Sequence, residues 1–162
     1  MISHDRLLRI LSYDRETGDF VWKQKIADKV VVGNLAGSIN YAGYRIIKIE
    51  GEKYMAHRLA WFYVTKNWPK EQIDHADGVR LNNRLRNLRE ASPAQNGANR
   101  KVNEYKVIGY KGVRQVGKNK WQARIKFMGR TKHLGMFSSI NDAAAAYERA
   151  AKEHFGEFAR VA

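Results

Sequence analysis

The segment from residue 72 to residue 100 constrains the fold more than any other part of the chain. A strand candidate ends at Ile73-Asp74-His75, Asp77-Gly78 is typical of a tight turn, and a second strand candidate covers residues 85–89. Ser92-Pro93 predicts a helix start, because serine caps an otherwise unpaired N–H and proline has no N–H to lose. Strand, loop, strand and helix within about 30 residues predict a ββα unit that is too small to fold alone.

The residues that precede this unit must support it, because the sequence contains no cysteine for disulfide bonds or thiolate zinc sites. The patterns predict a hairpin through Thr17-Gly18-Asp19, followed by a strand that begins at Phe20. They also predict helices over 3–12 and 56–66 and strands over 35–39 and 44–50. We therefore predict an α+β fold in which residues 1–100 form one domain with the ββα unit at 72–100.

A second domain is predicted over residues 110–162, after a linker at 101–109. Apolar and polar side chains alternate strictly along residues 120–127, which predicts a strand with one core face and one basic face. Neighbouring strands are predicted over 111–116 and 131–135, and a helix over 140–155. Together they predict a three-stranded antiparallel sheet covered by one helix.

The charge of the chain predicts a polyanionic partner. The 162 residues include 30 Lys and Arg against 16 Asp and Glu, a net charge of +14. Residues 106–162 alone carry 12 basic against 4 acidic side chains, a net charge of +8. The alternative is that the basic side chains form a solvent-exposed face that binds no partner. No apolar run is long enough for a membrane span, and we expect an intracellular protein with no membrane partner.

The polar residues of the ββα unit suit phosphodiester hydrolysis. This reaction needs a base that deprotonates water and a cation that neutralises phosphate charge. Asp74 and His75 are adjacent on a strand, so their side chains diverge, one toward a metal and the other toward the attacking water. Asn96 approaches from the helix, and Asn87 lies in the second predicted strand. Carboxylate and amide oxygens suit Mg²⁺ (or Mn²⁺), one ion per site, better than zinc.

The same residues resemble the HNH homing endonuclease family of phages and introns. The resemblance rests on five short motifs and extends over the first 100 residues: Ile73-Asp74-His75, Asp77-Gly78, Asn82-Asn83-Arg84-Leu85, Asn87-Leu88 and Gln95-Asn96. It implies that His75 is the general base, that Asp74 and Asn96 bind a single divalent metal, and that Asn87 steadies the loop and His75. The last motif position is often His in the family and is Asn96 here.

Other residues near the predicted site have open roles. For His57 we expect a structural or supporting role, because it is isolated on a helix of core residues. Four arginines are predicted to surround the site: Arg84, Arg86, Arg89 and Arg100. For each of them, contact with a phosphate and simple exposure to solvent are equally open.

The C-terminal segment resembles the plant apetala-two and ethylene-response-factor DNA-binding domain over residues 110–160. The matching motifs are Tyr110-Lys111-Gly112-Val113-Arg114, Trp121-Gln122-Ala123-Arg124-Ile125, Leu134-Gly135-Met136-Phe137 and the alanine-rich helix with Tyr147. The resemblance implies a sheet that enters the major groove, with a reading face of Lys111, Arg114, Arg124, Lys126 and His133, and Gln122 as a further candidate. Arg124 and His133 replace a Glu and a Trp that are frequent in the plant domains, so the target sequence does not transfer.

These observations predict a site-specific DNA endonuclease that acts on duplex DNA, with a nick as the simplest product of one active site. We expect a monomer or weak dimer, with no protein partner implied, in the cytoplasm of a bacterial or phage-infected host. One alternative is a DNA-binding regulator that retains an inactive nuclease fold. Another is an RNA-binding protein, although the inferred basic face is poor in the aromatic residues on which RNA bases stack.

Overall fold

A computed structural model describes residues 1–101 and 109–160 of the chain. The chain divides into two compact units, Met1–Glu90 and Ala91–Ala162. The division therefore falls ten residues before the end of the domain predicted over 1–100. Nearly all of the predicted linker, at 102–108, lies outside the described residues.

The first unit consists of short elements in three small sheets. Two of these sheets are antiparallel, β1 with β2 and β3-β4-β5, and β6 and β7 form the third. The elements are α1 (His4–Ile10), β1 (Leu11–Tyr13), β2 (Phe20–Trp22), β3 (Ser38–Ile39), β4 (Arg45–Ile49), β5 (Glu52–Met55), α2 (Ala56–Thr65), β6 (Gln72–His75) and β7 (Leu88–Ala91).

Three predicted elements differ from the structure, and one of them is the strand predicted over 35–39, which covers only Ser38–Ile39. The helix predicted over 3–12 ends at Ile10, and residues Leu11–Tyr13 pair with β2 instead. Leu11 fits the helical spacing, yet it is fully buried as a strand residue opposite Trp22. The strand predicted over 85–89 begins only at Leu88, because residues Leu85–Asn87 form a 3₁₀ turn.

A single apolar core supports β6 from one side. Leu7, Phe20, Ile47 and Leu59 are fully buried in this core, and Ile73 of β6 packs into the same cluster. Burial of side chains this large stabilises a fold by roughly 1.5–3 kcal/mol each. The core therefore fixes the position of β6, whose next two residues are Asp74 and His75.

The second unit contains α3 (Pro93–Asn99), β8 (Val113–Gly117), β9 (Lys120–Phe127), β10 (Arg130–Phe137) and α4 (Ile140–Phe155). The sheet is antiparallel in the order β10-β9-β8. Met128 and Gly129 join β9 to β10 and both have positive φ, 48° and 77°, as a two-residue hairpin turn requires. None of the helices in residues 1–101 and 109–160 is long and apolar enough to cross a bilayer.

Helix α3 begins as the sequence predicts and packs within the second unit. The Ser92 hydroxyl accepts from the N–H of Gln95, and the Gln95 side chain accepts from the N–H of Ser92, which completes a capping box. Ala98 of α3 is buried in one cluster with Ile125 of β9 and Phe155 of α4. This packing explains why the division between the units precedes α3.

Helix α4 covers one face of the sheet through small residues. Ala143 and Ala146 of the helix pack with Val113 and Ala123 of the strands. The helix approaches so closely that a Cβ on Gly112 would overlap the carbonyl oxygen of Arg124 and the Tyr147 ring. Gly112 also has a φ of +63°, so only glycine suits this position. The opposite face of the sheet remains exposed.

Candidate active site

Asp74 and His75 lie at the end of β6 and are both buried, at 4% and 5% exposure. Ionisable side chains are seldom buried to this extent unless they have partners. Both have partners in the first unit, and these partners define the candidate site.

Asn87 ties together the two ends of the loop that follows His75. Its side-chain oxygen accepts from the N–H of Asp77 at 3.0 Å, and its amide donates to Asp77 Oδ1 at 3.0 Å and to the Asn82 carbonyl at 2.8 Å. The Asn87 carbonyl also accepts from the N–H of Ala76 at 2.9 Å. The loop between β6 and β7 is therefore closed by one side chain.

Asp77 organises the inside of the same loop. Its carboxylate accepts from the N–H of Val79 at 2.8 Å and from the amide of Asn82 at 2.5 Å. Burial raises the pKa of Asp77, but the hydrogen bonds from Val79, Asn82 and Asn87 outweigh it and hold the pKa below its usual value. The sequence indicates only a turn residue at Asp77, whereas in the structure it is a hydrogen-bonding centre of the loop.

The contacts of the His75 imidazole include a hydrogen-bonding side chain and two aromatic rings. Its Nε2 lies 3.1 Å from Asn83 Oδ1. The His57 ring meets it edge-on with a centroid separation of 5.0 Å, and the Tyr44 ring lies 6.1 Å away. Tyr44 is itself covered by the Arg80 guanidinium, 5.2 Å from the ring centroid. The imidazole is therefore held on several sides by the first unit.

Burial keeps both histidines neutral near pH 7. It lowers the pKa of His75, against the opposing effects of the Asn83 hydrogen bond and the charges of Asp77 and Asp74. For His57 burial, followed by the charges of His75 and Arg58, lowers the pKa to about 3. A neutral imidazole is the form that accepts a proton from water.

Asp74 is paired with Arg89 of β7. Arg89 Nε lies 3.0 Å and Nη2 lies 2.9 Å from the same carboxylate oxygen, Oδ2. Both side chains are largely buried, and the side chain of Arg89 is 17% exposed. This close pairing holds the Asp74 carboxylate in one orientation.

The donors at this site suit a hard divalent cation with few protein ligands. Residues 1–101 and 109–160 contain no group of three or more His, Cys, Asp or Glu side chains that would hold a metal by themselves. Mg²⁺ is commonly bound through one or two carboxylates, with water and substrate phosphate as further ligands. The Asp74 carboxylate fits that pattern.

The remaining nuclease candidate, Asn96, lies on α3 in the second unit and is half-buried. Its backbone N–H donates to the Ser92 carbonyl at 2.9 Å. The structure thus brings Asp74, His75 and Asn87 together within the first unit, whereas Asn96 belongs to the second.

Five of the six predicted DNA-reading residues lie on the strands of the second unit, on the face opposite α4. The strand register places Arg114 opposite Gln122, His133 opposite Arg124 and Thr131 opposite Lys126. The Arg114 Nε donates to Gln122 Oε1 at 2.7 Å. Except for half-buried Gln122, these side chains are exposed.

Lys111 is the exception among the six. It precedes β8, is half-buried, and its Nζ donates to the Ala98 carbonyl in the last turn of α3 at 2.5 Å. Burial, followed by the charge of Arg160, lowers the pKa of Lys111 to about 8. Lys111 therefore anchors α3 rather than extending the exposed face of the sheet.

Sequence reasoning missed three pairings at the site: Asn83 with His75, His57 with His75, and Arg89 with Asp74. The adjacent pair Asn82-Asn83 in a polar loop was a signal for the first. The other two depend on which residues of distant elements meet, and no local pattern indicates this.

Part of the chain is similar to known nucleases. Residues 54–98 match the family model described as HNH endonuclease, a range that includes His57, Asp74, His75, Asn87 and Asn96. An HNH endonuclease of Acanthamoeba polyphaga mimivirus, described as uncharacterized, is 38% identical over 87 residues. That similarity covers 54% of this chain and 44% of the relative, so the chain spans less than half of the viral protein. Nucleases of the HNH type generally use a divalent metal ion. The similarity to HNH endonucleases therefore covers the segment that holds the candidate active site.

Proposed function

We propose that the chain is a site-specific DNA endonuclease that hydrolyses one phosphodiester bond of duplex DNA. The observation that carries this proposal is the buried, neutral His75 imidazole beside the buried Asp74 carboxylate, on a loop closed by Asn87. The match of residues 54–98 to HNH endonucleases supports it.

His75 is the general base in this proposal. It removes a proton from water, and the resulting hydroxide attacks the phosphorus atom, with 3′-hydroxyl and 5′-phosphate ends as products. Its lowered pKa keeps it ready to accept that proton at neutral pH. Asn87 acts on this step indirectly, since it holds the loop that follows His75.

Asp74 and Asn96 are the proposed ligands of a single Mg²⁺ or Mn²⁺ ion. When bound, this ion neutralises charge on the phosphate and on the leaving 3′ oxygen. Arg89 holds the Asp74 carboxylate in place. The role of Asn96 rests on the resemblance to HNH homing endonucleases.

The sheet of the second unit is proposed to position the enzyme on DNA. It resembles the apetala-two and ethylene-response-factor domain, and five of its side chains point away from α4: Arg114, Gln122, Arg124, Lys126 and His133. The residues paired across the strands with Gln122, Arg124 and Lys126 include no acidic side chain. Like charges close together on one sheet face are unfavourable until a polyanion covers them, and phosphates of DNA supply that charge.

The test is incubation of the purified chain with supercoiled plasmid in the presence of Mg²⁺. We expect nicked plasmid with the wild-type chain, and none with EDTA or with His75→Ala. Binding to duplex DNA should be close to normal for His75→Ala, since the sheet of the second unit is unchanged. Metal-independent binding without nicking at any site would instead support a DNA-binding regulator.

A further inference from the structure

The turn between β3 and β4, residues 40–44, carries a fully exposed aromatic side chain. The ring of Tyr41 is wholly accessible to solvent and packs against none of the described residues. An aromatic ring that stays in water contributes nothing to the packing of its own fold. Tyrosine is enriched at binding surfaces, because its ring offers a large contact area and a polar tip. Tyr41 is therefore a candidate contact for a partner of the first unit.

The backbone beneath this ring is held by hydrogen bonds. The Asn40 N–H donates to the Tyr44 carbonyl, and the Tyr44 N–H donates to the Asn40 side-chain oxygen, both at 2.9 Å. The Gly43 N–H donates to the Asn40 carbonyl at 2.9 Å. From the loop that follows β6, Arg80 Nη1 donates to the Ala42 carbonyl at 2.8 Å. Because the turn is already ordered, covering its exposed ring should cost little conformational entropy.

The same turn lies beside the candidate active site. The Tyr44 ring lies 5.4 Å from the His57 ring and 6.1 Å from the His75 ring, measured between centroids. The guanidinium of Arg80 lies 5.2 Å from the centroid of the Tyr44 ring. A partner that binds at the turn would therefore be close to the imidazole that is proposed as general base.

The loop segment next to the turn combines a positive charge with exposed apolar side chains. Arg80 is exposed, and so are its neighbours Val79 and Leu81. Neither residues 40–45 nor residues 79–81 include an acidic side chain. Arginine is a common ligand of DNA phosphates, and apolar side chains can pack against bases in a groove. This combination fits the grooved, anionic surface of duplex DNA.

A pair of lysines in the same sheet also favours an anionic partner. Exposed Lys48 of β4 lies directly opposite exposed Lys53 of β5. Like charges at opposed positions are unfavourable in a sheet. Glu50, which follows β4, is already paired with Arg6 at 2.7 Å. Phosphates of a bound nucleic acid would neutralise the two lysines.

We propose that the β3–β4 turn is a DNA contact of the first unit: the Tyr41 ring packs into a groove of the duplex next to the bond that is cleaved, and Arg80 binds a neighbouring phosphate. This inference rests on the proposed function of the chain as a nuclease of duplex DNA. Tyr41 supplies an apolar contact and Arg80 an ionic one, so their substitutions should respond differently to salt.

The first test measures binding of the full chain to a short DNA duplex of arbitrary sequence, in EDTA and at several salt concentrations. Tyr41→Ala is expected to lower the affinity on the order of tenfold at every salt concentration, because the lost contact is not ionic. Tyr41→Phe keeps the ring and should bind like the wild-type chain. The matched control is Val32→Ala, which truncates an exposed apolar side chain outside this surface and should change nothing.

The same titrations test Arg80. Arg80→Gln should lower the slope of log K against log salt by about 0.9, because one phosphate contact is lost. Lys29→Gln removes an exposed positive charge outside this surface and is the matched control. An unchanged slope for Arg80→Gln would overturn the proposed phosphate contact.

A label at the turn gives a direct readout of contact. The sequence contains no cysteine, so Tyr41→Cys provides a single site for an environment-sensitive fluorophore. Its emission should change when duplex DNA is added in EDTA. The same fluorophore on Val32→Cys should show no such change. Equal responses at the two sites would contradict a specific contact at the turn.

Three results would overturn the proposal for Tyr41. The first is a Tyr41→Ala chain that binds DNA with wild-type affinity. The second is a lower thermal unfolding temperature for this variant, because the ring would then support the fold. The third is a wild-type dimer in sedimentation that Tyr41→Ala converts to a monomer while DNA binding is unchanged, which would assign the turn to a second copy of the chain. If the wild-type chain nicks no plasmid, the proposed nuclease function fails, whereas binding in EDTA still decides whether the turn contacts DNA.

Discussion

The candidate active site and the exposed sheet face organise polar residues in opposite ways. In the first unit Asp74, His75 and Asn87 are buried, and each has named partners within a few ångströms. In the second unit Arg124 and Lys126 face solvent, and the register places His133 and Thr131 opposite them. Burial fixes the protonation state and the orientation of these side chains before a substrate binds, as catalysis requires. An exposed basic face relies on its partner for neutralisation, which suits binding that depends on salt.

This contrast predicts that substitutions at the two places separate cleavage from binding. The largest effect is expected for Asp74→Asn, which retains shape and removes the charge. Cleavage should fall on the order of 100-fold or more, because the loss of a metal ligand removes several kcal/mol of transition-state stabilisation. Plasmid nicking over a range of Mg²⁺ concentrations measures this, and DNA binding in EDTA serves as the control. Equal loss of cleavage and of DNA binding would contradict the assignment of these two functions to separate regions.

Acid should weaken the first unit through its buried histidines. The pKa of folded His57 is about 3 and its ordinary value is 6.5, so between these values the unfolded chain binds a proton that the folded chain does not. The contribution of His57 to the free energy of unfolding is therefore fully present above pH 6.5. It falls as the pH drops, by about 1.4 kcal/mol per pH unit, or about 2 kcal/mol at pH 5. His75 contributes in the same direction.

Denaturant unfolding at pH 7 and pH 5, followed by tryptophan fluorescence, measures this loss, since Trp22, Trp61 and Trp68 all lie in the first unit. His57→Phe, which keeps an aromatic ring, should reduce the difference between the two pH values. A difference of the same size in this variant would contradict the assignment to His57.

The exposed face should respond to salt. Replacement of Arg124 or Lys126 by Ala is expected to lower the slope of log K against log salt by about 0.9 for each phosphate that the variant no longer neutralises. Binding titrations with duplex DNA at several salt concentrations measure the slope, and nicking of saturated DNA should be nearly unchanged. An unchanged slope would exclude these side chains from the interface.

The smallest effect is expected at Lys111, which belongs to the inside of the second unit. Lys111→Met removes the hydrogen bond to the Ala98 carbonyl and should cost about 1 kcal/mol of stability, with no change in the salt dependence of DNA binding. Thermal unfolding of this variant, with exposed Lys120→Met as the matched control, measures the cost. A lower slope of log K against log salt for Lys111→Met would instead indicate that Lys111 contacts DNA.

Local patterns predict the elements whose own residues decide their structure. Alternation along 120–127 corresponds to β9 at Lys120–Phe127, and Ser92-Pro93 begins α3 with a capping box. The helix predicted over 140–155 is α4, Ile140–Phe155. The spacing of Leu11 from Leu7 predicts a helix, whereas its pairing with Trp22 depends on a hairpin partner.

The sequence by itself determined which residue types are available for chemistry, and it placed Asp74, His75 and Asn87 in one short segment. Only the tertiary structure decided that Asn83 meets the His75 ring, that Arg89 pairs with Asp74, and that Lys111 anchors α3. The physical reason is that side-chain periodicity reports which face of an element is apolar, whereas the partner of a buried polar group depends on how distant elements pack.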